Sequence, residues 1–536
     1  MLDKEQAKKS RTKFCGVPIG SSRPELAIPF YNVLWAEVLR ADGQTPSLVI
    51  DYALEAKNHQ VRPRQLTYAL ATENSESEGN ALLPETAESF AESLLARAYG
   101  PAQRRKRARV LVNPHAGPGG AGKTWEEEVR PVFEAARMQI DATYTTQAGE
   151  AVGICQQLDR ERYDVVVPCS GDGLPHEVFN GLGRRADART ALRQLAVAHI
   201  PCGSGNAMSC NLNGSWRPGP AALAIVKGVR TPLDMMSVTQ GEGTEDAPVR
   251  RTLSFLSQSV GIVAESDLGT ENMRWMGPHR FTVGIAQRIF SKKVYPCDVA
   301  LKVAVPDKDA VRAHYRREKE AHEANFGVRR EGGAGDAAGA DSVDSSEADA
   351  SEELPPLRYG SINDKVPDDW EKLSLDKMGN FYCGNVSPAL LIRPPPLNPP
   401  SKCSRGPGFP YPNMTLLRQM PYMAPDANFF PATTPNDGLM DLVINDGDIA
   451  ALQYLELMTS IEKERYYDNP LVAYRKVAAY RITPRGQKDG GYISIDGERI
   501  PFEPFQVEVH PGLATVLSRR GRYEANGPSG WENAAV

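Results

Sequence analysis

Short β-rich runs mark the first hundred residues. LAIPFYNVLWAEV, PSLVIDYAL and RQLTYAL read as strands, and the apolar spacing of ETAESFAESLLARAYG predicts one amphipathic helix after them. From residue 108 the pattern changes to strand, loop and helix in alternation. RVLVNP reads as a buried strand, KTWEEEVRPVFEAARM as a helix, IDATYTT as a strand and EAVGICQQLDRER as a helix. YDVVVPCSGDG and QLAVAHIPCGSGN each read as a strand running into a loop, with helices opening at LPHEVFNGLG and NAMSCNLNG. This order predicts a mainly parallel sheet covered by helices on both faces. Beyond residue 235, TLSFLSQSVGIVAE, CDVALKVAV, FYCGNVSP, GLMDLVIND, AAYRITP, GYISIDGE and FQVEVHPGLATVLS predict an antiparallel domain. The expected fold class is α/β plus β: a small β-rich module over 1–104, a parallel-sheet domain over 105–236 and an antiparallel β-sandwich over 237–525.

Two forms suit the N-terminal strands and helix: a separate unit, of which a pleckstrin-homology-like barrel is one version, or an extension packed on the main body. The basic run Arg104, Arg105, Lys106, Arg107 and Arg109 reads as a solvated linker that would also suit an anionic membrane surface. Inside the sandwich, the stretch from Glu331 to Pro356 carries eight acidic residues and no basic one, predicting a disordered insertion over about 320–370. RPPPLNPPSKCSRGPGFPYP reads as a second irregular loop, and residues 526–536 as a tail.

A length of 536 residues exceeds what one core organises, in keeping with several domains. Hydrophobic content of 41% and charged content of 24% fit a soluble globular chain. A net charge of −5 argues against nucleic acid as a partner. No apolar run reaches bilayer-spanning length, and MLDKEQAKKSRTKF has no apolar signal core. Eight cysteines without a C-x-x-C pair and eight scattered histidines give neither a disulfide framework nor a metal-ligand set. The expected location is the cytoplasm, with peripheral contact to intracellular or plasma membranes.

Three glycine-rich loops follow successive strands of the predicted parallel sheet, at the strand ends where such sheets bind ligands. The first, V-N-P-H-A-G-P-G-G-A-G-K-T over 112–124, frees backbone amides beside a helix start, which makes a phosphate cradle. It also fits the P-loop expression from Gly117 to Thr124. However, four residues separate its strand from the first glycine of that match, and YDVVVP offers no Walker-B carboxylate. The second loop, P-C-S-G-D-G-L-P-H-E-V-F-N-G, puts Asp172 between Gly171 and Gly173, either as a general base for an attacking hydroxyl or as a helix-capping turn residue. The third, P-C-G-S-G-N-A-M-S, offers the amides and hydroxyl of Gly203, Ser204 and Gly205. Together the three favour a nucleotide-phosphate site.

In this order the loops resemble those of the diacylglycerol-kinase catalytic superfamily, and most closely the sphingosine (long-chain-base) kinases. N-P-x-x-G-x-G, S-G-D-G-L-x-H-E-V-x-N-G-L and P-x-G-S-G-N-A carry the resemblance. It continues through GIVAESDL, RWMGPHRFTVG, PNDGLMDL and IDGE. The resemblance implies ATP and Mg2+ as cofactors. It implies a nucleotide site from Asn113, Pro114, His115, the segment Thr145, Thr146, Gln147, Ala148 and Gly149, and Gly203, Ser204 and Gly205. It places Glu177 near the ribose or metal region, makes Arg274 and Arg280 the phosphate-binding arginines, and brings the turn Asp496, Gly497 and Glu498 from the second domain. Asp172 becomes the catalytic base, with Ser170, Gly171 and Gly173 beside the lipid head. Ser257 matches a hydroxyl contacting that head, and Asp267 the acid that pairs with the ammonium group of a sphingoid base; Glu265 is a second acidic candidate.

The activity implied is phosphorylation of the primary hydroxyl of a sphingoid base such as sphingosine, sphinganine or phytosphingosine. Ceramide and diacylglycerol kinases share the loops without an amine-bearing substrate, and NAD kinases share only G-D-G. A catalytically silent lipid-binding protein is the rival from another class, and its broken site is not what these residues describe.

Overall fold

The computed structural model describes residues 27–40, 45–56, 60–70, 84–117, 119–203, 205–270, 273, 279–331, 352–385, 429–462, 465–486, 491–524 and 531. At the N-terminus β1 (Val33–Leu39), β2 (Ser47–Glu55) and β3 (Val61–Ala69) form an antiparallel sheet, against which α1 (Pro84–Tyr99) packs through Ala87, Ala91, Leu95 and Ala98. This module is seated on the body. The Tyr99 hydroxyl donates to the Leu34 carbonyl at 2.6 Å, the Lys227 ammonium to the Val33 carbonyl, and Arg137 pairs with Glu37 and Asp51. Gly219 lies so near β3 that an added Cβ would stand 2.9 Å from the Val61 amide. The described part of this module, three strands and one helix, packs on the main body through these contacts.

The basic run is engaged in contacts within the protein, although Arg105 remains exposed and only Lys106 is buried. Lys106 is buried and donates to the carbonyls of Gln103 and Val226, Arg105 lies over the Trp35 ring, and Arg104, Arg107 and Arg109 pair with Glu92, Asp164 and Asp141.

The α/β part follows the expected alternation. It runs β4 (Arg107–Val112), α2 (Ala121–Thr124) continuing through a π-turn (Trp125–Val129) into α3 (Arg130–Ala135), β5 (Gln139–Tyr144), α4 (Glu150–Gln156), β6 (Val165–Ser170) and α5 (Gly173–Gly183). After it come α6 (Ala188–Gln194), the short strands β7 (Ala196–Val197) and β8 (Ile200–Pro201), α7 (Ala207–Asn213) and α8 (Pro218–Val226). β5, β4 and β6 pair in parallel, with β7 and β8 on the free side of β6. β6, VVVPCS, is buried at every position, as a strand covered on both faces must be.

The second half is antiparallel but carries more helix than its sequence suggested. β9 (Val229–Gln240), β10 (Arg250–Ser254) and β11 (Ser257–Gly261) lead into α9 (Ile262–Leu268) and α10 (His279–Ser291). β12 (Cys297–Val305), α11 (Lys308–Glu331), β13 (Glu371–Leu375), β14 (Met378–Gly384), β15 (Met440–Asp446) and α12 (Ala451–Glu462) follow, then β16 (Ala473–Pro484), β17 (Ile493–Ile495), β18 (Glu498–Ile500) and β19 (Phe505–Ser518). The two halves share one sheet: β19 pairs antiparallel with β9 and β16, and its end meets β7 in parallel at Val516 and Val197.

Ordered structure enters the segment expected to be a disordered insertion from both sides. α11 runs to Glu331, and beyond residue 352 the amides of Arg358 and Tyr359 donate to the buried Glu508 carboxylate. Residues 332–351 and the proline-rich loop lie outside the described residues. Within the expected tail, Trp531 is buried edge-on against Tyr467 and Tyr315.

Candidate active site

The three glycine loops meet at one point. A Cβ on Gly203 would stand 2.3 Å from the Gly171 Cα, and one on Gly117 2.7 Å from the Cys202 carbonyl. Only glycine permits such approach, and Gly117 also has φ +56°. Asn206 fixes the third loop, its side chain accepting from the Gly203 amide and donating to the Gly203 carbonyl. Asn113 turns the first, its side-chain oxygen accepting from the His115 amide while its own amide donates to the Cys169 carbonyl. Ser204 lies outside the described residues.

Asp172 stands at this junction, preceding α5 without capping it. Its carboxylate accepts instead from the amides of Ala207 at 2.8 Å and Met208 at 3.0 Å, so it is bound to the start of α7. A Cβ on Gly205 would stand 3.3 Å from Asp172 Oδ2, which shows how near the third loop comes. His199, fully buried, donates from Nε2 to the Ser170 carbonyl, with its Nδ1 3.8 Å from Asp172. Ser170 is buried, and its hydroxyl donates to the Gly171 carbonyl.

Glu177 shapes the neighbouring loop. Its carboxylate accepts from the amides of Gly149 (2.9 Å) and Ala151 (3.1 Å), and Glu150 accepts from the amides of Thr146 and Gln147. Thr145 is buried, whereas Thr146, Gln147 and Ala148 are exposed on the loop surface. Glu177 thus holds the T-T-Q-A-G segment through its backbone, a role its motif did not reveal.

From the second half, the Asp496–Glu498 turn reaches α5. Asp496 is buried with φ +54° and accepts from the Ser254 hydroxyl and the amides of Phe255, Leu256 and Ser257, all within 3.1 Å. Its fifth partner is His176 Nδ1 at 2.8 Å. Burial opposes charge on His176, but the hydrogen bond and negative charge of Asp496 outweigh it and raise its pKa. Gly497, at φ +87°, completes the turn, and a Cβ on Gly173 would stand 2.9 Å from Glu498 Oε1. Of this turn, Glu498 is the member beside the glycine loops.

The lipid-side candidates gather around a tyrosine that sequence patterning did not mark. Tyr382, in β14, is buried, receives the Ser257 hydroxyl at 3.3 Å and packs against Phe429 and Phe430. Burial pushes its phenol well up, the Ser257 hydrogen bond opposes that, and the charges of Asp267, Asp496 and Asp172 add to the upward shift. Asp267 lies half-buried in the last turn of α9. Glu265, the second acidic candidate, is engaged by Lys293 at 2.8 Å, Arg288 at 3.4 Å and the Tyr295 hydroxyl. Arg280 falls in the first turn of α10, its side chain outside the description, and Arg274 lies outside the described residues.

Comparison with known proteins decides the kinship. Residues 107–238 match the Diacylglycerol kinase catalytic domain, and residues 1–100 a Domain of unknown function (DUF7493). Sphingoid long chain base kinase 4 of Schizosaccharomyces pombe is 31% identical over 95% of this chain and 92% of its own length. The chain belongs to the sphingoid long-chain-base kinase family. Sphingoid long chain base kinase 5 of Saccharomyces cerevisiae is 33% identical over 81% of the chain, which spans 62% of that relative's length. Sphingosine kinase 1 of Arabidopsis thaliana is 28% identical over 77% of the chain and 76% of its own length. Among the described residues no helix is long and apolar enough to cross a membrane.

Proposed function

We propose that this lipid kinase transfers the γ-phosphoryl group of ATP to the primary hydroxyl of a sphingoid long-chain base, yielding its 1-phosphate. The observation that carries the reading is the convergence of three glycine loops on Asp172, with the Ser257–Tyr382 hydroxyl pair feeling the charges of both Asp172 and Asp267. The cradle suits a nucleotide: glycine at 117, 171 and 203 lets the three loop backbones pack against one another, which gathers them at the strand ends where phosphate would bind. Asp172 then accepts the proton of the hydroxyl as its oxygen attacks the γ-phosphorus, and Arg274 and Arg280 offset the developing charge. Asp267 pairs with the substrate ammonium, a contact that ceramide and diacylglycerol cannot make. Among the described residues no cluster of three His, Cys, Asp or Glu side chains offers a metal seat, so Mg2+ would enter on the triphosphate and no step is assigned to it.

The test is phosphate transfer from radiolabelled ATP to sphinganine, ceramide and diacylglycerol in mixed micelles, with Asp172→Asn alongside. Sphinganine should be the preferred acceptor, and Asp172→Asn should lose turnover by about a hundredfold or more. Equal use of diacylglycerol would overturn the substrate, and a fully active Asp172→Asn the base. The same lipid preference predicts peripheral rather than spanning contact with a membrane surface.

A further inference from the structure

Behind the carboxylate proposed as the base stands a histidine to which the motifs assign nothing. His199 lies between β7 and β8, with no solvent exposure. Its Nε2 is 2.9 Å from the Ser170 carbonyl oxygen. A carbonyl only accepts, so Nε2 carries the hydrogen, and the neutral ring keeps a lone pair at Nδ1. Burial holds the ring neutral by pushing its pKa down, against the opposing pull of Asp172 and the Ser170 carbonyl. Nδ1 has no hydrogen-bond partner and lies 3.8 Å from Asp172 Oδ1. That separation is too long for a hydrogen bond, and two acceptors without a proton between them do not attract. An orphaned polar atom in so buried a place carries a free-energy cost. A proton on Asp172 would relieve it once the carboxyl has moved the short distance into hydrogen-bond reach of Nδ1.

We infer that His199 is a positioning residue for phosphoryl transfer, its Nδ1 lone pair receiving the hydrogen bond of Asp172 once Asp172 has taken the substrate proton. The inference rests on the reading of Asp172 as the base. In the step, the hydroxyl O–H bond breaks as its oxygen bonds to the γ-phosphorus of the nucleoside triphosphate. The proton goes to Asp172, and the diphosphate leaves with the electron pair of the broken P–O bond. The new carboxylic O–H turns to His199 Nδ1, and the proton returns to solvent after the products leave. The lone pair thereby gives the newly formed carboxylic O–H a fixed acceptor, which holds it while the products form.

Other groups facing the pair do not titrate with it. Burial pushes the Cys210 thiol beside Asp172 up to about 12 and the Tyr382 phenol higher still, so both stay protonated. Asp172 is the titratable side chain whose charge acts on His199. The backbone carbonyl of His199 also accepts from Asn213, a brace that a side-chain substitution leaves in place.

The experiment uses the full chain with His199→Phe, which fills the space without ring nitrogens, and His199→Asn, which restores an acceptor near the Nδ1 position. The turnover number is followed against pH at saturating Mg-ATP and sphinganine. His199→Phe should lose about tenfold or more in kcat, and its acid limb should move to lower pH, since the carboxylic O–H loses its acceptor. His199→Asn should recover part of the kcat. A kcat that falls with the acid limb unmoved would show a bracing role alone and overturn the inference, as would an unchanged kcat. Should the variants fail to fold, NMR of the wild-type chain labelled at histidine decides: a neutral ring with hydrogen on Nε2 supports the inference, and hydrogen on Nδ1 overturns it. Normal turnover in Asp172→Asn would instead sink the base, whatever His199 does.

Discussion

Two short turns in this molecule place an aspartate beside glycine: Gly171-Asp172-Gly173 in the α/β half and Asp496-Gly497 in the antiparallel half. Both matched family motifs, and both sit at the boundary between the halves. Their surroundings differ in the number of donors. Asp172 takes two amides and faces a neutral histidine across 3.8 Å, whereas Asp496 takes three amides, a hydroxyl and an imidazole. A carboxylate with five donors has no lone pair left for an attacking hydroxyl; one with two still does. Asp172 keeps the open lone pair that its proposed role needs, whereas Asp496 joins α5 to the β10–β11 turn.

Exchanging the two measurements would break the comparison. Asp172→Asn should cost about a hundredfold or more in turnover while leaving thermal stability within about 1 kcal/mol, because its two amide partners belong to one helix start. Asp496→Ala should lower stability by about 3–5 kcal/mol in denaturant unfolding, because it strands His176 and four further donors in a buried site. A stable, well-folded Asp496→Ala with lost nucleotide affinity would reverse the assignment and restore Asp496 to the nucleotide.

Sequence made the α/β half legible because its signal is local. An apolar run such as VVVPCS, a glycine loop and a helix start stand next to one another in the chain, and the phosphate cradle is made of them. The partners of Asp496 are not of this kind: His176 is 320 residues away, and the Ser254 hydroxyl and the Phe255–Ser257 amides are 239–242 away. Tyr382 illustrates the same limit, since FYCGNVSP reads as an ordinary core strand, and only folding brings its hydroxyl to Ser257, 125 residues distant. His176 was visible inside the S-G-D-G-L-P-H motif, but nothing local shows what its ring meets. The helices α9 to α12 escaped for a different reason: their β-rich flanks set the pattern of the region, and α10 and α12 are short enough to read as parts of it.

Glu177 offers a smaller contrast of the same sort. Its two oxygens hold the amides of Gly149 and Ala151, so a nucleotide role proposed for it would run through the T-T-Q-A-G loop. Glu177→Gln keeps one acceptor and loses the charge. The expected result is a KM for ATP raised about fivefold, with kcat much less affected. A large fall in kcat at unchanged KM would place Glu177 among the groups that meet the reacting phosphate.

The finest test of Asp496 as a joint is its dependence on pH. His176 is the one donor to Asp496 that titrates, and its pKa is raised by that carboxylate despite burial. A histidine whose folded pKa exceeds its unfolded value stabilises the fold fully below the unfolded value, and loses that contribution as pH rises through the raised one. His176→Gln, which keeps a neutral donor, should therefore cost about 1 kcal/mol on the acid side of neutrality and less on the alkaline side, measured by denaturant unfolding at both. The same substitution should leave the acid limb of the turnover profile where it is, since His176 acts on Asp496 and not on Asp172. If the limb moved with His176 and not with His199, the two aspartates would have to exchange roles. If the stability cost grew toward alkaline pH, the imidazole would be held neutral, and Asp496 would join the halves through hydrogen bonds without an ion pair.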